Sequence, residues 1–104
     1  MKKGICKNIL YSNAIQLIKN DEVKVIDVRD NYEIKNNNVL PKSINIPLND
    51  LSRRIKYVAL DKTQPILVYC ATGSRSIYAC QILADCGYLK VYNLQGGING
   101  INKS

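Results

Sequence analysis

Short apolar runs in this chain alternate with longer segments whose apolar residues recur every three or four positions, the pattern of strands exchanging with helices. Val23-Lys24-Val25-Ile26-Asp27-Val28 is rich in β-branched residues and nearly continuous in apolar character at its end, as an inner strand covered on both faces requires. Ile66-Leu67-Val68-Tyr69 and Lys90-Val91-Tyr92-Asn93-Leu94 read as two further strands, Ser43-Ile44-Asn45-Ile46 as a short one stopped by Pro47, and Ile5 to Tyr11 as a first, edge strand. Ser12 is placed to N-cap a helix over Asn13 to Lys19, with Ala14, Leu17 and Ile18 inward. Asn49 or Asp50 caps a second helix through about Tyr57, with Leu51, Ile55 and Val58 toward the core. A third runs from about Ser74 to Cys86, presents Ile77, Ala79, Cys80, Leu83, Ala84 and Cys86 on one face, and ends at Gly87. Between Asn31 and Leu40 the chain reads as a short helical turn and an irregular loop. This alternation predicts an α/β fold, a small mostly parallel sheet of about five strands with helices on both faces. One domain spans residues 1–104, with ligands expected at the carboxyl ends of the strands.

Composition narrows the chemistry. The opening Met1-Lys2-Lys3-Gly4-Ile5-Cys6-Lys7 has the basic head of a signal peptide, but Lys7, Asn8 and Asn13 break the apolar run such a peptide needs, and no later stretch is suited to crossing a membrane. A cytoplasmic protein without membrane contact is predicted. The formal charge of +7 is spread over scattered lysines with no aromatic residues interleaved, a surface that favours small anions rather than nucleic acid. The four cysteines, at 6, 70, 80 and 86, form no CxxC pair, and the chain has no histidine to complete a zinc site. No metal or organic cofactor is implied, and the cysteines read as reduced thiols, at least one of them reactive. Without histidine, Ser-His-Asp and Cys-His hydrolysis are excluded. A cysteine nucleophile must then be activated by backbone dipoles and cations.

Cys70 sits where that activation is available. It follows a strand and opens Cys70-Ala71-Thr72-Gly73-Ser74-Arg75-Ser76, which leads into a helix. Gly73 permits a tight turn that aims successive N–H groups from Ala71 to Ser76 at the sulfur, Thr72 and Ser74 offer hydroxyl donors, and Arg75 a guanidinium fork for an oxyanion. A cation at a helix N-terminus opposes the macrodipole, so Arg75 itself points to an anion nearby. Cys80 and Cys86 lie on the apolar helix face, where packing is their default role. With about 1.5 Å of rise per residue, Cys80 lies too far along the helix for an easy disulfide with Cys70, and Cys6 approaches Cys70 only if the first strand runs close by. Asp27 and Arg29, at a strand end, read first as a local ion pair and only second as supporting site residues. Gly96 and Gly97 serve a turn into a last short helix.

Four segments in order resemble the rhodanese family of sulfurtransferases. Val25-Ile26-Asp27-Val28-Arg29 with Glu33 is similar to its DVR…E segment, and Pro41 to Pro47 to PGAINIP. The Cys70–Ser76 loop matches CxxGxRS, and Val91 to Gly97 matches VYxLxGG. The resemblance implies that Cys70 takes a sulfane sulfur from a small anionic donor such as thiosulfate, holds it as a persulfide, and passes it to cyanide or a thiol. It implies a substrate cradle formed by Ala71, Thr72, Gly73, Ser74, Arg75 and Ser76, with Arg75 contacting the anion. Cysteine phosphatases and arsenate reductases, the nearest alternative, carry a longer loop between cysteine and arginine. A carrier or docking module that delivers sulfur to a protein partner is the other reading. The chain departs from the family at the asparagine-rich Asn36–Leu40, at Lys42 in place of a glycine, and at Ile101 in place of a tryptophan.

Overall fold

Strand β4, Ile66–Tyr69, is the centre of the sheet and is fully buried on both faces, as its unbroken apolar run requires. The computed structural model describes residues 4–34 and 38–103, so Lys2 and Lys3 and the start of the asparagine-rich segment, Asn36 and Asn37, lie outside the described residues. Five strands, β1 (Ile5–Ile9), β2 (Lys24–Asp27), β3 (Ser43–Asn45), β4 and β5 (Lys90–Leu94), form one sheet in the order β1-β5-β4-β2-β3. Every pairing is parallel. β1 is an edge strand and β2 an inner one, as their sequences predict.

The side-chain period of two divides the core into two layers. Ile66, Val68 and Cys70 face a cluster with Leu51 and Ile55 and with Ala79, Cys80 and Leu83 of helix α3 (Ser74–Asp85). Leu67 and Tyr69 face the opposite cluster, with Ala14 and Ile18 of helix α1 (Tyr11–Ile18) and Ile98 of a closing 3-10 helix (Ile98–Lys103). Cys70 thereby inherits the α3 face from the strand that precedes it.

Several local expectations are corrected. Helix α1 begins at Tyr11, so Ser12 lies inside its first turn and caps nothing; Leu10, extended at ψ 163°, is the boundary residue. β1 stops at Ile9, opposite Leu94, because its edge pairing with β5 ends there. The second helical segment is a 3-10 turn (Leu48–Asp50), one α-helical turn α2 (Leu51–Arg54) and a further 3-10 turn (Ile55–Tyr57). Leu51 and Ile55 are buried as expected, but Asp50 makes no capping bond and instead pairs with Arg53 at 2.9 Å. On α3 the residues Ala79, Cys80, Leu83 and Ala84 point inward, whereas Ile77 is exposed. Gly87 ends that helix with φ 97°, and the Tyr88 N–H returns to the Leu83 carbonyl. Lys42, where the family resemblance has a glycine, sits at φ 53°. The turn into β3 keeps its left-handed backbone, and its ammonium donates to the Asn20 carbonyl at 2.8 Å.

The largest correction concerns the cysteines. Cys6 and Cys80 form a disulfide, so they are not reduced thiols; Cys70 and Cys86 are free. Cys6 faces the α3 layer from β1, and Cys80 stands on the inward face of α3 directly across from it, with a Cα–Cα distance of 5.4 Å. The bond ties the edge strand to the helix that follows the Cys70 loop. Closing a loop over a sequence separation of 74 residues restricts the unfolded chain, an effect of about 4 kcal/mol. Reduction, or Cys6→Ser, is therefore expected to move the urea midpoint down by a comparable free energy, and an unchanged midpoint would contradict this. Thiol titration of the unreduced, denatured protein should find only Cys70 and Cys86.

Candidate active site

The chain leaves β4 at Tyr69 and re-enters regular structure at Ser74, so the loop between must turn a buried strand into a helix within a few residues. Gly73 is the N-cap of α3 at φ 99°, a left-handed position that an L side chain resists, and a Cβ there would stand 3.2 Å from the Gly96 nitrogen. An N-cap side chain normally accepts the N–H of the second or third helical residue. Gly73 has none, and the Cys70 sulfur fills that place: it accepts the Ser76 N–H at 3.3 Å and the Gly73 N–H at 3.1 Å.

Ser76 is fully buried, with its Oγ 3.4 Å from Sγ and 3.3 Å from the Gly73 carbonyl oxygen. In the thiol form the S–H donates to Ser76 Oγ, whose own proton goes to the Gly73 carbonyl. In the thiolate form the hydroxyl turns its proton to sulfur. Burial pushes the Cys70 thiol up, but the Ser76 hydroxyl, the Ser76 and Gly73 amides and the Arg75 amide outweigh it and hold its pKa below the ordinary value.

The glycines after β5 take part in holding the loop. A Cβ on Gly97, at φ 67°, would collide with the Ala71 carbonyl. That close approach lets the Ile98 N–H donate to the Cys70 carbonyl and the Asn99 N–H to the Ala71 carbonyl, both at 2.9 Å. Their assignment to a turn stands, but the turn clamps the cysteine loop, a role that only the long-range approach reveals. On its other side the same turn borders a cleft of about 680 Å3 with Leu10, Tyr11 and Ile101.

The structure brings together Cys70, Gly73 and Ser76 of the residues expected at the cradle, with Ala71 held through its carbonyl. The Thr72 and Ser74 hydroxyls do not reach the sulfur; both are on the outer side of the loop, 3.4 Å from one another. Arg75 finds the anion its position calls for, but it is Glu33. The guanidinium donates through both terminal nitrogens to the two carboxylate oxygens at 2.6 and 2.7 Å. This pair raises the Arg75 pKa and lowers that of Glu33 to about 2. Glu33 was marked by the sequence only as a match to a family pattern.

Asp27 and Arg29 form a buried ion pair, with contacts of 2.7 to 3.1 Å. They sit beside Tyr69, whose ring lies 5.7 Å below the guanidinium, on the sheet face opposite Cys70. Strand alternation thus keeps them from the sulfur, and their support is architectural. Arg29 also donates to the Asn38 carbonyl, and Asn45 donates to the Asp27 and Arg29 carbonyls. The sequence marks Asn45 only as part of the segment similar to PGAINIP. Among the described residues no group of His, Cys, Asp or Glu is arranged to hold a metal.

A parallel α/β sheet with a cysteine at the carboxyl end of its central strand, cradled by the N-terminus of the next helix, defines a class of thiolate proteins that transfer small groups. The rhodanese-like domain model matches residues 11–104, and the chain belongs to that family. It is 38% identical over 76 residues to the thiosulfate sulfurtransferase PspE of Escherichia coli (strain K12), covering 73% of this chain and 71% of that one. A rhodanese-related protein from Thermoplasma volcanium shares the fold with a TM-score of 0.74 at 30% identity, over 93% of this chain and 91% of that one. A Rhodopseudomonas palustris protein described as a possible tyrosine phosphatase is also similar, with a TM-score of 0.84 at 25% identity, over 94% and 80%. The sulfurtransferase relatives support sulfur transfer as the activity.

Removing the Ser76 hydroxyl takes away one donor to the thiolate, an interaction of about 1 kcal/mol. Ser76→Ala is expected to slow iodoacetamide alkylation of Cys70 at neutral pH about fivefold, whereas Ser74→Ala should leave it unchanged. Equal rates in both variants would remove Ser76 from the cradle.

Proposed function

We propose that this chain is a thiosulfate sulfurtransferase that works through a Cys70 persulfide. The observation that carries the reading is the sulfur itself, buried and accepting two backbone N–H groups at the start of α3. The Cys70 thiolate attacks the outer sulfur of thiosulfate; the sulfur–sulfur bond of the donor breaks and its electron pair leaves with sulfite. Cys70 then carries a persulfide, whose terminal sulfur bears the negative charge. The N–H groups of the loop and the Ser76 hydroxyl are the donors available to that charge, and they need no reorganisation to meet it. In the second half, cyanide or a thiolate attacks the terminal sulfur and the electron pair returns to Cys70. No step requires a metal or an organic cofactor.

A sulfane sulfur projects from its leaving group by one atom, which suits a cysteine with no exposed surface. A phosphoryl group brings a full set of oxygens to the nucleophile, and the loop between Cys70 and Arg75 is short for that. The possible phosphatase among the structural neighbours keeps phosphoryl transfer as the second reading, with release of phosphate from an aryl phosphate as its signature. A sulfur carrier would load equally well but discharge slowly to free thiols until its protein acceptor is added.

No helix among the described residues is long and apolar enough to cross a membrane. The Cys6–Cys80 bond weighs against the cytoplasmic location inferred from the amino-terminal sequence, since such bonds persist in oxidising surroundings.

Incubation with thiosulfate should add one sulfur atom to the protein at Cys70, and cyanide should remove it as thiocyanate. Cys70→Ser should do neither. Wild-type protein that stays unmodified by thiosulfate and yields no thiocyanate would overturn thiosulfate as the donor.

A further inference from the structure

The Arg75 guanidinium is expected to receive a donor's anionic end, yet both of its terminal nitrogens are engaged by Glu33. Glu33 is itself fixed in place. It closes a short 3-10 turn (Asn31–Glu33), its backbone N–H donates to the Asp30 carbonyl at 3.0 Å, and its carboxylate accepts the Asp30 N–H at 2.9 Å. The carboxylate is therefore held ready for Arg75 by the loop after β2 and does not swing to it from solvent. Side-chain exposures of 35% for Arg75 and 22% for Glu33 place the pair at the rim of the loop, neither sealed in the core nor free in water.

The pair sets the local charge. The Cys70 thiolate and the Asp30 carboxylate both act on Arg75 electrostatically, as Glu33 does. One guanidinium is thus bound by one carboxylate and lies within electrostatic range of a second, although the chain as a whole carries +7. The net charge draws anions to the molecule at long range; the rim they meet carries a net negative charge. A donor that uses Arg75 must also compete with a bidentate carboxylate already in place.

We propose that Glu33 is a specificity-determining residue: by holding Arg75 at the rim of the Cys70 loop, it disfavours dianionic sulfur donors relative to monoanionic ones. This rests on the sulfur-transfer reading above and refines its substrate class toward singly charged sulfane-sulfur anions, such as thiosulfonates and persulfides. Glu33 acts through Arg75, without touching the reacting sulfur.

Thiosulfate and methanethiosulfonate test this, because each presents one sulfane sulfur and they differ by one unit of charge. Transfer to Cys70 releases sulfite from the first and methanesulfinate from the second. In Glu33→Gln, KM for thiosulfate should fall about tenfold, the scale of one unit charge at partly screened range, while KM for methanethiosulfonate moves less than about threefold and kcat holds for both. In the double variant Glu33→Gln, Arg75→Ala, that selective gain should vanish. If Glu33→Gln raises KM or lowers kcat equally for the two donors, Glu33 is only a structural tether and the proposal is overturned, while sulfur transfer stands. Should Glu33→Gln fail to fold by circular dichroism, Glu33→Asp, which loosens the two-point pair, should shift the KM ratio in the same direction by less; an unchanged ratio there would also overturn the proposal. Wild-type protein that takes sulfur from neither donor overturns the transferase reading, and the specificity role falls with it.

Discussion

The Cys70 sulfur accepts the N–H that an N-cap side chain would otherwise accept, and the rest of the site depends on that substitution. Gly73 is needed for the left-handed turn and for the close approach of the Gly96–Gly97 turn, but it leaves the first turn of α3 without a capping side chain. The thiolate supplies the missing acceptor to Ser76, and the same N–H groups, with the dipole of a twelve-residue helix behind them, supply the thiolate with its stabilisation. Fold and reactivity share one set of hydrogen bonds. A neutral side chain at position 70 would leave those donors buried with a weaker partner.

Holding that arrangement takes contributions from three distant parts of the chain. The β5 turn fixes the Cys70 and Ala71 carbonyls, Glu33 fixes Arg75, and the Cys6–Cys80 bond anchors α3 two turns beyond the loop. Each restrains a different degree of freedom: the strand end, the rim and the helix. The buried Asp27–Arg29 pair lies on the other face, where it and Asn45 shape the chain between β2 and the Glu33 turn.

What was legible in the sequence follows from the range of the interactions. The strands, the parallel alternation and the placement of Cys70 come from local periodicity, and local periodicity sets them. Gly87 ends its helix as expected because a left-handed C-terminus is a property of a few adjacent residues. Ser12 failed as a cap because strand pairing at the sheet edge fixed where α1 starts, and that lies outside the window in which capping is read. The disulfide was missed for the same reason. Cys6 and Cys80 share nothing in sequence, and only the register of β1 beside β5, with α3 packed above, brings them together. The sequence points to the Thr72 and Ser74 hydroxyls, but it is Ser76 that reaches the sulfur: Thr72 lies in the loop before α3, and helical phase turns Ser76 inward and Ser74 outward. The position of Arg75 points to an anion, and the structure places Glu33 there, a partner 42 residues away that no local pattern reveals.

Backbone and hydroxyl donors outweigh burial at Cys70. Thiolate absorbance titrated against pH in Cys86→Ala, which leaves Cys70 as the only free thiol with the disulfide intact, measures that balance directly. A transition below about 8.5, the value of an unperturbed thiol, returning to that value on denaturation, is the expected result. A transition at or above it in the folded protein would mean that burial wins, and that the loop does not activate the cysteine.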